Sequence, residues 1–339
     1  MAMTPPYTSP GRPAGPFWAV TSYYNPAGYQ RRRANYRLFR QHLQLPLLTV
    51  EWSHDGRFEL GPGDADILIQ LDGGDVMWQK ERLLNIGIAR LPAECTKVAW
   101  LDCDVVFENT AWPKQALAQL ENARLVQLFE HVVHIMPTPI ERLLQDASWR
   151  GAGVLKRRTS TARLYCDAKS AGNMDMLGVP PEGQSFAYPG SNGHAWAAHR
   201  SLLEDHPLFD AWVLGGGDAA YLYAAAGLSA DQIRMCGLAA AQASHYLQRA
   251  APLERAIDGR LAWVPGTLLH LWHGDPADRK YRERYTILER HGFDPRRFLK
   301  RSASGVWEWA DVPSGLPDEI RAYFEQRNED GLVTASASA

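Results

Sequence analysis

Three short stretches hold the side chains able to carry out a reaction. WLDCDVVF, residues 100–107, sets Asp102 and Asp104 one residue apart at the end of an apolar run. Carboxylates at i and i+2 of an extended chain point to opposite faces, but a turn at a strand end can aim both at one ligand. Their oxygens match a hard divalent cation, Mg2+ or Mn2+, and the ligand such a pair suits is a diphosphate held through that ion. The alternative is a pair of solvated loop acids. LLHLWHGD places His270 and His273 three residues apart, a spacing that can put both imidazoles on one metal. Two interfacial histidines are the alternative there. In FDAWVLGGGDAAYLY, Gly215 to Gly217 let the backbone approach a ligand closely. Asp218 follows at a helix start, where it can cap the helix. In the same cleft it can instead deprotonate an attacking hydroxyl, a role worth about 10² to 10⁴ in rate.

The surrounding elements must position these groups. Phe17 to Ser22 reads as a strand, Asn25-Pro26 as a turn and Tyr29 to Leu43 as a helix, which makes one β-α unit. Leu47 to Trp52, Ile67 to Gln70 and Lys97 to Leu101 are further strands, and Trp78 to Leu91 is a helix with Leu84, Ile88 and Leu91 on one stripe. Such alternation implies a mostly parallel sheet covered by helices, with ligands beyond the carboxyl ends of its strands, where Asp102 and Asp104 lie. The pattern blurs over 137–189. It resumes with a helix from Arg200, a helix from Asp218 to Ala226, a strand from Leu261 to Leu271, a helix from Ala277 to His291 and a terminal helix over Leu316 to Arg327.

Bulk properties narrow the function. The chain of 339 residues is 45% hydrophobic, enough for a real core, and its 36 basic against 38 acidic residues create no global field for nucleic acid or an anionic membrane. Cys95, Cys103, Cys166 and Cys236 form no CxxC pair, which argues against a zinc ribbon or disulfide framework and fits a reducing cytoplasm. Residues 1–16 are rich in proline and glycine without an apolar segment, so a disordered lead-in is expected rather than a signal peptide or membrane anchor. The end, GLVTASASA, is expected to fray. The Arg31 to Arg33 and Lys156 to Arg158 runs read as solvated faces. Trp196, Trp212 and Trp272 adjoin the motifs and could stack on sugar rings, although most of the tryptophans are expected in the core or at its rim.

In order and spacing, the three clusters resemble the metal-dependent glycosyltransferases of GT-A fold, most closely the beta-1,4-galactosyltransferase type, over roughly Phe17 to Pro295. The resemblance implies an α/β, Rossmann-like nucleotide-sugar-binding fold. One catalytic domain would cover 17–312, with 137–189 as an insertion or acceptor-side region and 313–339 as a terminal helix and disordered tail. FWAVTSYYNPAGYQRRR stands where that family grips the nucleotide, and WQKERLLNIGI offers Lys80 as the donor-contacting basic residue, with Asn85 closing the Leu-Leu-Asn sequence. By the same resemblance Asp104 binds manganese and Asp102 lies nearer the nucleotide. His270 stands where the family has a methionine ligand and His273 where it has a histidine. YPGSNGHAW resembles the segment touching sugar and diphosphate, with Ser191, Asn192, Gly193, His194 and Trp196 as candidates. Gly216 belongs to the glycine loop and Asp218 matches the catalytic aspartate, but Gly217 replaces a glutamate.

The implied reaction moves a sugar from a nucleotide donor, taken as a uridine diphosphate sugar, to a hydroxyl, with inversion and Asp218 as base. The ion is Mn2+ or Mg2+. The acceptor is a glycan, a small molecule or a modified DNA base. A nucleotidyltransferase, or an inactive carbohydrate- or nucleic-acid-binding module, is the rival.

Overall fold

The computed structural model describes residues 7–8, 15–143, 148–177, 188–280 and 283–331. Twelve strands, numbered along the chain, form its two main sheets. The larger contains β1 (Tyr7–Thr8), β2 (Phe17–Tyr24), β3 (Leu47–Ser53), β4 (Ile67–Asp72), β5 (Lys97–Leu101), β7 (Leu125–Gln127), β10 (Ala195–His199) and β11 (Leu261–Trp263), in the order β1-β4-β3-β2-β5-β10-β7-β11. β1 and β10 run against the others. The smaller contains β6 (Val105–Phe107), β8 (His131–Ile135), β9 (Val154–Thr159) and β12 (Thr267–His270), in the order β6-β12-β8-β9. The expected α/β class with a mostly parallel central sheet is what the chain adopts.

Both faces of the large sheet are covered, which is why its strands read as apolar runs. Trp18 and Val20 of β2 pack with Leu48, Val50 and helix α2 (Lys80–Ala89) through Leu83 and Leu84. The alternate residues Phe17 and Ala19 pack with Leu47 and with Tyr36 and Phe39 of helix α1 (Gln30–His42) on the other face. No described helix is long and apolar enough to cross a membrane, and all four cysteines are free.

Three expectations need correction. The stretch from Leu261 to Leu271 is not one strand. Pro265 lacks an N–H, Gly266 adopts φ +124°, and the chain there leaves β11 in the large sheet to enter β12 in the small one. The Ala277 to His291 helix is a 3-10 turn, Pro276–Arg279, followed by a helix over Glu283–Arg290, with Lys280 in the left-handed region at φ +42°. The Arg31–Arg33 run is not a solvated face. Arg31 is buried and donates to the Thr138 carbonyl at 2.5 Å, Arg32 reaches Glu329, and only Arg33 is exposed.

The periodicity also passed over the helix Ala240–Ile257, and β7 to β9 were not anticipated. Of the expected lead-in, 1–6 and 9–14 fall outside the described residues, and so do 332–339 of the tail and 144–147 and 178–187 of the blurred region. Tyr7–Thr8 pairs with β4.

Candidate active site

Asp102 and Asp104 are the first and last residues of the three-residue turn between β5 and β6. That turn is clamped from both sides: the Asp102 amide donates to the His194 carbonyl at 2.7 Å, and the Leu271 amide donates to the Asp104 carbonyl at 2.8 Å. The two carboxylates consequently serve different partners. Asp104 lies 3.7 Å from His270 Nε2 and 3.4 Å from His273 Nε2, and one ligand atom from each of the three residues falls within 4.8 Å of the others. Asp102 lies 2.5 Å from Lys80 Nζ and 3.5 Å from His194 Nδ1.

The histidine positions follow from the Pro265-Gly266 break. In the small sheet His270 pairs with Val105 on one side and with His134 on the other. The His134, His194 and His273 rings all lie near His270, each with its centroid 4.6 Å away. Burial holds His270 and His273 well below the usual imidazole range, reinforced by the neighbouring charges, and the same cause takes His134 down to about 3. Neutral imidazoles keep a lone pair for a metal. His273 Nε2 sits 3.1 Å from His270 Nε2, while Arg279 Nη2 lies against His273 Nδ1. His194 holds φ +78°, rare for a residue with a side chain.

Asp218 is brought to this group from the other half of the chain. Lys80, at the start of α2, donates to its Oδ2 at 2.6 Å and thereby bridges Asp102 and Asp218. Burial opposes the ammonium charge of Lys80, but the two carboxylates outweigh it and keep the group protonated. Burial raises Asp218, with Lys80 pulling the other way, whereas Lys80 and His194 overcome burial at Asp102 and hold it low. The helix-cap alternative for Asp218 fails. The helix over Gly217–Ala225 is capped by Gly216, at φ +99°, and its start receives no side-chain capping bond.

Other expected residues divide. Gly193 approaches Asp218 so closely that a Cβ would lie 3.1 Å from Oδ2, and at Gly216 it would lie 2.0 Å from the Tyr285 hydroxyl. Trp196 is buried rather than offered to a ligand. Its indole N–H bonds to the Asn192 carbonyl at 2.9 Å and its ring stacks on Trp100. Trp212 is buried too, edge-on to Tyr246 and Tyr285. Asn85 does not join the acids; its amide donates to the Leu208 carbonyl and Asp210 and accepts from the Leu208 amide. The Asn192 amide oxygen is taken by the Thr161 hydroxyl, and Ser191 is linked to Ser160.

One residue that pattern reading passed over is Glu81, next to Lys80. It is 3% exposed, its Oε1 has no hydrogen-bond partner among the described residues, and burial together with the Asp218 charge pushes its carboxyl up to about 8. A Cβ on Gly217 would lie 2.5 Å from Glu81 Cδ, so the empty side-chain space at 217 is where the Glu81 carboxyl sits. Glu81, Asp218 and Trp196 line a cavity of about 10 Å³, room for about one water. The sole signal in the sequence was an acid beside Lys80. His134 had none, because its partner is distant along the chain.

No model of a protein family matches this sequence, and no curated protein matches it. Among solved structures the chain is similar to glucosyl-3-phosphoglycerate synthase from Mycobacterium tuberculosis, in complex with Mn2+, uridine diphosphate and phosphoglyceric acid, at 11% identity over 85% of this chain and 84% of that one, with a TM-score of 0.37. It is also similar to S. aureus TarS, at 11% identity over 92% of this chain and 43% of that one, TM-score 0.35. A third is TarS 1-349 in complex with UDP-GlcNAc, at 13% identity over 92% and 72%, TM-score 0.34.

Proposed function

We propose that this chain is a metal-dependent glycosyltransferase of GT-A fold that moves a sugar from a nucleotide donor, a uridine diphosphate sugar, to a hydroxyl with inversion. The observation that carries the proposal is the convergence, beyond the carboxyl end of β5, of the Asp104, His270 and His273 triad with the Asp102, Lys80 and Asp218 chain.

The triad suits a divalent ion. Asp104 Oδ1 is buried without a hydrogen-bond partner among the described residues, and two neutral imidazoles face it. One carboxylate and two nitrogens fit manganese better than magnesium, which keeps to oxygen. When bound, the ion would supply Lewis acidity at the departing diphosphate. The remaining chemistry belongs to the chain. Asp218, made more basic by burial, takes the acceptor hydroxyl proton as that oxygen bonds to the sugar carbon and the bond from carbon to diphosphate breaks. Lys80 holds Asp218 in place and fixes Asp102 beside it.

Nucleotide sugars screened with and without Mn2+ test the proposal. Release of UDP is expected, release of pyrophosphate would establish a nucleotidyltransferase instead, and no metal-dependent turnover of any donor would leave a binding module. Asp218→Asn should keep donor affinity and lose about 10² or more in turnover. Near-normal transfer would remove Asp218 from the base role.

A further inference from the structure

The terminal helix Leu316–Glu325 is followed by a segment, 327–331, that turns back into the protein. Arg327 and Glu329 are 2% and 1% exposed. Arg32 Nη2 donates to the Glu329 carboxylate at 2.8 Å and Arg327 Nη2 lies 2.9 Å from it, while Arg279 Nη2 stands 3.5 Å away. Arg279 also donates to the His273 carbonyl at 2.7 Å, so this cage adjoins the metal triad.

Three guanidinium groups face one carboxylate, and a guanidinium does not readily shed its proton. The cage therefore keeps two more positive charges than Glu329 neutralises. Nε and Nη1 of Arg327 are buried with no hydrogen-bond partner among the described residues. Buried charge with unmet donors is costly, and an anion bearing more charge and more acceptor oxygens than a carboxylate would satisfy it better. Arg327 is held independently of Glu329, stacked over Trp78 at 5.0 Å. Beyond it the segment rests on the Asp330 carboxylate, which accepts from the Gln30 and Arg31 amides at the start of α1, and on Gly331 against Trp272. Asn328, at φ +43°, lies between the two parts.

We propose that Arg32, Arg279 and Arg327 form a binding site for a phosphate or diphosphate group, and that Glu329 is its built-in occupant, displaced with 328–331 when the anion enters. The source of the anion is either the diphosphate of a nucleotide or a free phosphate species, and only this choice rests on the transferase reading.

Inorganic pyrophosphate, without divalent metal, is the probe. Amide exchange of 329–331, and of Gln30 and Arg31 that lose Asp330, should quicken when it binds the wild-type chain. Glu329→Gln, with the competing charge removed, should bind pyrophosphate about tenfold or more tighter, because a larger fraction of the cage is open. Arg32→Gln should weaken it. Unchanged or slower exchange on binding, or equal affinity of the wild-type and Glu329→Gln chains, would overturn the proposal. If Glu329→Gln does not fold, the wild-type exchange experiment decides alone. UDP is the second probe. Displacement of 328–331 by both anions places the nucleotide here, whereas displacement by pyrophosphate alone upholds the cage and counts against the nucleotide-sugar proposal.

Discussion

Lys80 stands between two carboxylates of opposite tendency, Asp102 held low and Asp218 raised, and in the proposed reaction this division would let Asp102 bind while Asp218 accepts a proton. Removing a ligand charge tests the neighbouring triad most directly. Asp104→Asn should lower Mn2+ affinity by about tenfold or more while leaving the melting temperature near that of the wild type, and His273→Ala should do likewise. His270→Met keeps a donor atom and a similar volume, so it should bind metal better than His270→Ala. Calorimetric titration with Mn2+ reads all four variants, and wild-type affinity in both His270 variants would remove that residue from the site. Glu81 makes a separate prediction. Its carboxyl titrates at about 8 in the fold against an ordinary 4.5, so the folded chain holds a proton that the unfolded chain has lost, and stability falls as pH rises between those values. Glu81→Gln cannot ionise. Urea midpoints from about pH 5 to about pH 9 should decline less in the variant, and parallel declines would show that Glu81 ionises normally.

The Pro265-Gly266 break is the element on which the Asp104, His270 and His273 cluster depends, because it carries the chain from the β7 edge of one sheet to a place between β6 and β8 of the other. A side chain at 266 would meet both a left-handed backbone and Asn109, whose Cβ would lie 2.7 Å from the added carbon. Gly266→Ala should cost about 1–3 kcal/mol. It should also weaken Mn2+ binding although it alters no ligand, since His270 ends the strand that begins one residue later. Thermal melting with metal titration checks this, and a destabilised variant with normal metal affinity would show that the break serves stability alone.

Across the whole molecule, the last described residues close onto the first helix, and Glu329 is the centre of that closure. Burial alone would raise its carboxyl, but Arg32, Arg327 and Arg279 outweigh burial and hold it at about 2. Because the folded value lies below the ordinary 4.5, the contribution is complete above 4.5 and disappears as pH falls through about 2. Its size is up to about 3 kcal/mol. Glu329→Gln should be the less stable chain at neutral pH and lose less on acidification, so urea midpoints at about pH 7 and about pH 2 should converge. A constant gap between the two chains would mean that the carboxylate charge plays no part.

Local chemistry was legible without the fold. Apolar runs bounded by turns located β2 to β5 and the first two helices within a residue or two, because a covered parallel strand and an amphipathic helix each impose a period on their own residues. Asp102, Asp104 and Asp218 stood out for the same reason: a carboxylate beside an apolar strand or a glycine turn is visible in a few residues. What the sequence could not show is which distant groups meet. Lys80 could be marked as a base, but its two acids lie 22 and 138 positions away. Glu81 looked like any acid on a helix until folding set it in the space that Gly217 leaves empty. His134 joined His270 through a parallel strand pairing, and Glu329 reached Arg32 from almost the far end of the chain. Local patterns record each residue's own element, whereas burial, charge compensation and shifted proton affinity arise only where elements pack, so the tertiary structure alone decided them.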